Sequence, residues 1–215
     1  MKKRVISGIF AIVLSLSLTV PTFATSMQQN ETQTISAKGK ILISDPCTGE
    51  TWDWELETSD ISVENISGIA RTGMARGQTG NAEVNIDIAQ YLSKTMTRPI
   101  DTETVSYDDV TITVGLRYSA DEANNTVSIY RAYGSTPDNG MFYATNKKFY
   151  YSNPSVFDPI KKTPTGTSWS YSTDSTAGFY YADVAPYALL DCRITVRGME
   201  SSGRDVSVIC ELTFA

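Results

Sequence analysis

The chain has 215 residues, with 24 Asp and Glu against 18 Lys and Arg, and no histidine. A net charge of −6 makes nucleic acid and anionic membrane surfaces poor partners. The missing imidazole excludes Ser-His and Cys-His nucleophile pairs, the usual zinc ligand and the commonest general base, so any catalysis must run on carboxylate, Lys, Tyr or Cys chemistry.

Lys2, Lys3 and Arg4 precede an apolar run from Val5 to Val20, followed by Pro21, Thr22, Phe23 and Ala24. This is the pattern of a secretory signal peptide spanning residues 1–24 and cleaved after Ala24. Ser7, Ser15 and Ser17 interrupt the run, which falls short of the about 20 apolar residues of a membrane anchor. The expectation is a secreted, extracellular protein without membrane insertion, whose net charge moves from −6 to −9 when Lys2, Lys3 and Arg4 leave. Residues 25–36 are polar and read as a flexible lead-in, leaving 37–215 as a single domain. A subdivision near 96–104, "MTRPIDTET", is the alternative, although the segment before it is short for a sandwich of its own.

Period-two alternation dominates the rest of the chain. In "KILISDPCTGETWDWEL", Asp45, Pro46, Thr48 and Gly49 supply turn chemistry, and pairing Ile43 with Trp52 puts Ile41 opposite Trp54. The segment "NIDIAQYLSKTM" is ambiguous, because Ile88, Tyr91 and Leu92 also fit a helical turn after an Asp87 cap. In "VTITVGLRYSADEANNTVSIYRAY", pairing Tyr118 with Val127 and Leu116 with Ile129 leaves Asp121 to Asn124 as the loop. Arg131 would then point inward, so a bulge or rim position is expected there. Aromatic-rich strands are expected around Met141 to Ser152, Ser168 to Ser172 and Phe179 to Val184. In the last hairpin, one register pairs Val196 with Val206, Ile194 with Val208, Cys192 with Cys210 and Leu190 with Leu212. Short strands joined by Gly, Pro, Asn and Ser turns predict an all-β antiparallel sandwich, immunoglobulin-like or jelly-roll-like, with an N-terminal hairpin extension.

That last register places Cys192 and Cys210 at disulfide distance, and secretion would permit the bond. Two buried thiols are the alternative. Cys47, at a turn tip, is expected to be exposed and able to form a dimer through an intermolecular bridge. Three cysteines without histidine do not make a metal site, and no cofactor motif is present. "SGIARTGMARGQTGN" carries Arg71 and Arg76 but lacks the ending of a phosphate loop, and reads as a connection between strands. Asp121, Glu122, Asn124 and Asn125 crowd one loop and read as a solvated turn rather than a calcium site.

Two candidate sites remain. The first is aromatic: the doublets Tyr150–Tyr151 and Tyr180–Tyr181 each send one ring to the outer face of a strand, and Trp169 and Tyr171 lie two apart. Such a shelf could stack on a sugar ring, with Asn146, Asn153 or Asp174 binding hydroxyls, whereas the bland reading is cross-strand packing. The second is the row Asp53, Glu55 and Glu57 in "GETWDWELE", which is similar to the E-x-D-x-E strand of jelly-roll glucanases. Here the order is Asp, Glu, Glu near the start of a short chain, and the activity does not carry over with five residues. The plain reading is a half-buried strand with Trp52, Trp54 and Leu56 inward and charges toward water. The signal segment resembles those of Gram-positive bacteria. The sequence thus points to a secreted non-enzymatic protein that binds a glycan or cell-wall polymer. A carboxylate-based glycoside hydrolase and a structural or protein-interaction module of the cell surface are the alternatives.

Overall fold

A computed structural model of the chain describes residues 35–67, 77–95, 110–121, 126–152, 158–173, 179–180 and 185–214, which belong to one compact unit spanning 33–215. The signal segment, the lead-in through residue 34, Arg71, Arg76, the 96–104 boundary, Glu122 to Asn125, Asn153, Asp174 and Tyr181 lie outside the described residues, as does the side chain of Tyr180.

The strands are β1 (Ile35–Ser44), β2 (Thr51–Glu55), β3 (Ile61–Ser67), β4 (Gly77–Asp87), β5 (Thr111–Asp121), β6 (Thr126–Ser135), β7 (Phe142–Tyr151), β8 (Ile160–Lys162), β9 (Ser168–Ser172), β10 (Phe179–Tyr180), β11 (Tyr187–Val196) and β12 (Met199–Phe214). They form two antiparallel sheets. The first runs β2-β1-β12-β11-β7-β8; the second runs β10-β6-β5-β4-β3, with β9 sharing the β6 edge beside β10. Alternation makes one face of each strand apolar, and the two apolar faces meet: β1 packs over β3 and β4, β12 over β4 and β5, and β11 over β5 and β6. Ile41, Val84, Ile112, Leu116, Leu190 and Val208 are fully buried between the sheets. Each such side chain contributes about 1.5–3 kcal/mol relative to exposure. The result is the expected all-β sandwich.

The first hairpin has the expected register, Ile43 opposite Trp52 and Ile41 opposite Trp54. Its turn is held by the Asp45 carboxylate, which accepts from the N–H of Cys47 at 2.8 Å, and by Gly49 at φ 75°. The ambiguous segment resolves as a strand through Asp87 and then the helix α1 (Ala89–Thr95), with Asp87 Oδ1 accepting from the N–H of Ala89 at 2.9 Å. Among the described residues no helix is long and apolar enough to cross a membrane.

The other two hairpins depart from the expected registers, and each contains an irregularity. Tyr118 faces Ile129 rather than Val127, and Tyr130 is the extra residue of a bulge that puts Arg131 opposite Arg117. In the last hairpin Val196 pairs with Met199, leaving Arg197 and Gly198 as a two-residue turn with Gly198 at φ 78°. With the irregularity that follows between Ile194 and Val196, this tight turn slides β12 by four residues relative to the expected register from Ile194 onward. Cys192 therefore faces Val206, and Cys210 faces Ala188. The expected Cys192–Cys210 disulfide is not formed: both are free thiols buried in the core, and Cys47 is free and exposed.

The same slide carries Arg204 into the interior. Its Nη2 lies 3.1 Å from Asp45 Oδ2 and donates to the carbonyl of Thr95 at 3.0 Å, while Nη1 donates to the carbonyl of Ser202 at 3.0 Å. Asp45 and Arg204 are 5% and 4% exposed, so a buried ion pair ties the first turn, the end of α1 and β12 together.

Candidate functional site

The carboxylate row lies on an open surface. Asp53 and Glu55 project from the edge strand β2 with side chains 62% and 75% exposed, and Glu57 is exposed just beyond it. Lys40 Nζ sits 2.8 Å from Asp53 Oδ2 and 3.9 Å from Glu55 Oε1. Hydrogen bonding and charge from Lys40 hold the Asp53 carboxyl below its ordinary range, so it stays ionised and is both a poor proton donor and a weakened base. Trp52, Trp54 and Leu56 turn to the core, where Trp54 meets the Tyr91 ring edge-on at 5.0 Å.

The aromatic candidates are divided between layers. Trp169, Tyr171 and Tyr151 gather around the buried Phe149, with ring centroids 5.5, 6.1 and 6.1 Å from it. Tyr151 is 2% exposed, and Trp169 and Tyr171 are half-buried between the sheets. Tyr150 points the other way, onto the outer face of the first sheet, with Lys161 Nζ 5.8 Å from its ring centre. Asn146 takes φ 52° in a bulge of β7. These residues do not form one exposed shelf.

A ring that sequence reasoning passed over occupies the outer face of the second sheet. Tyr133 on β6, Gly115 on β5 and Glu83 on β4 are in register, and the Tyr133 side chain lies over Gly115, where a Cβ would collide with it. The phenol thereby reaches across β5 to Asn81 Oδ1 at 2.6 Å and Glu83 Oε2 at 2.8 Å. One hydroxyl proton cannot serve both. The charged Glu83 is the stronger acceptor, and turning the Asn81 amide lets its nitrogen donate to the phenol oxygen instead. Burial first, and then Glu83, push the phenol up from its ordinary range, so it stays neutral and donating. Arg117 sits with Cζ 5.9 Å from the ring centre. Arg131 stands directly across from Arg117, and Ser170 and Ser172 continue the two rows on β9.

The sequence did carry a signal for this arrangement. Three strand-interior glycines each face an aromatic residue on the neighbouring strand: Gly80 faces Tyr118, Gly115 faces Tyr133, and Gly134 faces Trp169. At Gly134 a Cβ would come within 2.8 Å of Trp169 Cζ2. Glycine inside a strand marks close approach by another group, here a ring laid across the backbone. Of the three rings, Tyr118 and Trp169 face inward and Tyr133 faces outward.

No family model matches this chain, and neither a curated protein nor a solved structure matches it. Among the described residues, its fold and site define it as an antiparallel sandwich with an anchored, half-buried tyrosine on a polar sheet face.

Proposed function

We propose that this is a secreted, non-enzymatic β-sandwich that binds a glycan or another surface polymer, with Tyr133 as its stacking platform. The observation that carries the reading is the fixed ring of Tyr133, tethered at its hydroxyl by Asn81 and Glu83 and flanked by Arg117. A tyrosine already held over Gly115 loses little side-chain freedom on binding, and its apolar face suits the C–H face of a sugar ring. Arg131, Ser170 and Ser172 on the same face offer donors to hydroxyls. Secretion rests on the N-terminal pattern and is tested by the mass of the exported chain, which should begin at Thr25.

The binding test is retention on a panel of soluble and insoluble cell-wall polysaccharides, comparing the native protein with Tyr133→Ala. Retention that Tyr133→Ala abolishes, with the fold intact by circular dichroism, supports the reading. Retention unaffected by the substitution, or none at all, contradicts it.

A second reading, a structural or protein-interaction module, has one observation in its favour. On the outer face of the first sheet Ile209, Leu189 and Tyr150 stand in one cross-strand row, with Lys40 at one end and Lys161 at the other. A Leu189→Lys change that removes a protein contact while leaving polymer retention intact would favour this reading.

A further inference from the structure

We infer that the ligand of the Tyr133 face is acidic, a saccharide carrying carboxylate or phosphate groups gripped between Arg117 and Arg131. The inference rests on the proposed stacking platform and adds the charge class of what it binds.

The pairing of these two arginines needs an explanation. They are direct cross-strand neighbours, and like charges directly opposite one another on a sheet are unfavourable. Among the described residues neither arginine has an ion-pair partner: the five ion pairs formed there belong to Lys40, Arg193, Arg197 and Arg204. Arg117 meets the Tyr133 ring instead. An anion between the two guanidinium groups relieves the repulsion and accepts from both in the forked geometry that suits carboxylate and phosphate oxygens.

The bulge at Tyr130 makes this juxtaposition. In a regular β5–β6 ladder continuing from Tyr118 opposite Ile129, the residue across from Arg117 would be Tyr130, and Arg131 would face the core. The extra residue turns Arg131 outward and seats it beside Arg117 while returning Ala132 to the interior, where it is fully buried. Re-aiming one side chain in this way is what a bulge does beside a binding site.

The neighbouring carboxylates leave the pair available. Glu83 takes the Tyr133 hydroxyl, and Glu64 lies on the far side of Asn81 in the Arg117 row, with Asn81 opposite both Glu64 and Arg117. The chain is acidic as a whole, at −6. At physiological ionic strength charges beyond about 8 Å are largely screened, so the local potential is set by the two adjacent arginines against Glu83, which the Tyr133 hydroxyl engages, rather than by the net charge of the chain. Tyr133 then supplies the stacking surface next to the anion, which favours an acidic sugar over a bare anion.

The experiment uses the secreted chain and three polymers: polygalacturonate, its fully methyl-esterified form, and poly(glycerol phosphate). The first two share ring and linkage and differ in charge; the third has phosphate without a sugar ring. The expected result is that polygalacturonate binds about tenfold or more tighter than the ester, by an amount that shrinks as salt is raised. Arg117→Gln and Arg131→Gln should each remove about tenfold of the affinity for the acid form and a clearly smaller factor from the ester, which loses only a neutral hydrogen bond, whereas Tyr133→Ala weakens both alike. Equal binding of acid and ester, with Tyr133→Ala still effective, would overturn the acidic assignment and leave the platform standing. Binding of poly(glycerol phosphate) that needs both arginines but not Tyr133 would uphold anion capture and overturn the platform. No retention of any of the three by folded protein would overturn both. Tyr133→Phe, which keeps the ring, guards against a variant that fails to fold.

Discussion

Tyr133 crosses a whole strand to reach its partners: it stands on β6, lies over Gly115 on β5, and ends at Glu83 on β4, 2.8 Å from Oε2. The absence of a side chain at Gly115 is what lets the ring lie down. Gly115→Ala should therefore lift the ring, destabilise the fold by about 1–3 kcal/mol as overpacking does, and weaken polymer binding. In a Tyr133→Ala background the same change should be close to neutral, because the three atoms nearest to the new methyl all belong to the Tyr133 ring and hydroxyl. A chemical-denaturation double-mutant cycle measures the difference, and additive effects would show that the two residues are not coupled.

The core thiols lead to a second expected outcome. Burial pushes Cys192 and Cys210 up to about 12, so neither forms thiolate at neutral pH. A thiol reagent should label Cys47 alone in the native chain, and all of Cys47, Cys192 and Cys210 after denaturation without reductant. Cys47→Ser should abolish native labelling. Labelling of Cys47 alone in denaturant would restore the Cys192–Cys210 bond.

Acid should loosen the first turn. The N–H of Cys47, then the N–H of Thr48 and the charge of Arg204, hold the Asp45 carboxyl below its ordinary value against the opposing effect of burial. A folded value below the unfolded one, which is about 3.9, means that the stabilisation is fully present above that pH and is lost as pH falls through the folded value. Arg204→Met should lower the unfolding midpoint at pH 7, because Asp45 is then buried without its partner, and should flatten the acid limb of the stability profile. Asp53 is also held low, by Lys40, but at the surface, so high salt should remove its share of the acid sensitivity and leave that of Asp45.

How much of the fold can be read from the chain turns on what period-two alternation encodes. A slip of one residue turns every side chain over, so the pattern forbids it; slips of two or four keep the apolar residues inward, so the pattern allows them. The first hairpin is legible because Asp45 and Gly49 pin the turn. The last is not: Ile194 with Val208 and Leu190 with Val208 are equally apolar pairings, and the two-residue turn at Arg197–Gly198 together with the irregularity between Ile194 and Val196 decides between them. The disulfide expectation fell with that register. The inward fate of Trp169 and the outward fate of Tyr133 are likewise out of reach, since each depends on which strand β6 neighbours. The bulge near Arg131 is legible because a guanidinium in the core needs partners.

The inter-sheet aromatic group is expected to serve the fold rather than a ligand. Phe149→Ala removes the ring on which Trp169, Tyr171 and Tyr151 pack, and should cost about 3–5 kcal/mol while leaving polymer affinity unchanged in the variant that remains folded. Denaturant unfolding followed by tryptophan fluorescence measures the first, and the retention assay the second.

The most direct measurement of the central claim is the amide spectrum of the isotopically labelled protein titrated with polygalacturonate oligosaccharide. The expected shifts fall on the outer face of the second sheet, at Asn81, Gly115, Arg117, Arg131, Tyr133 and Ser170. Shifts confined to Asp53 and Glu55, to Tyr150 and Leu189, or to the Trp169 edge, with the Tyr133 face silent, would contradict it.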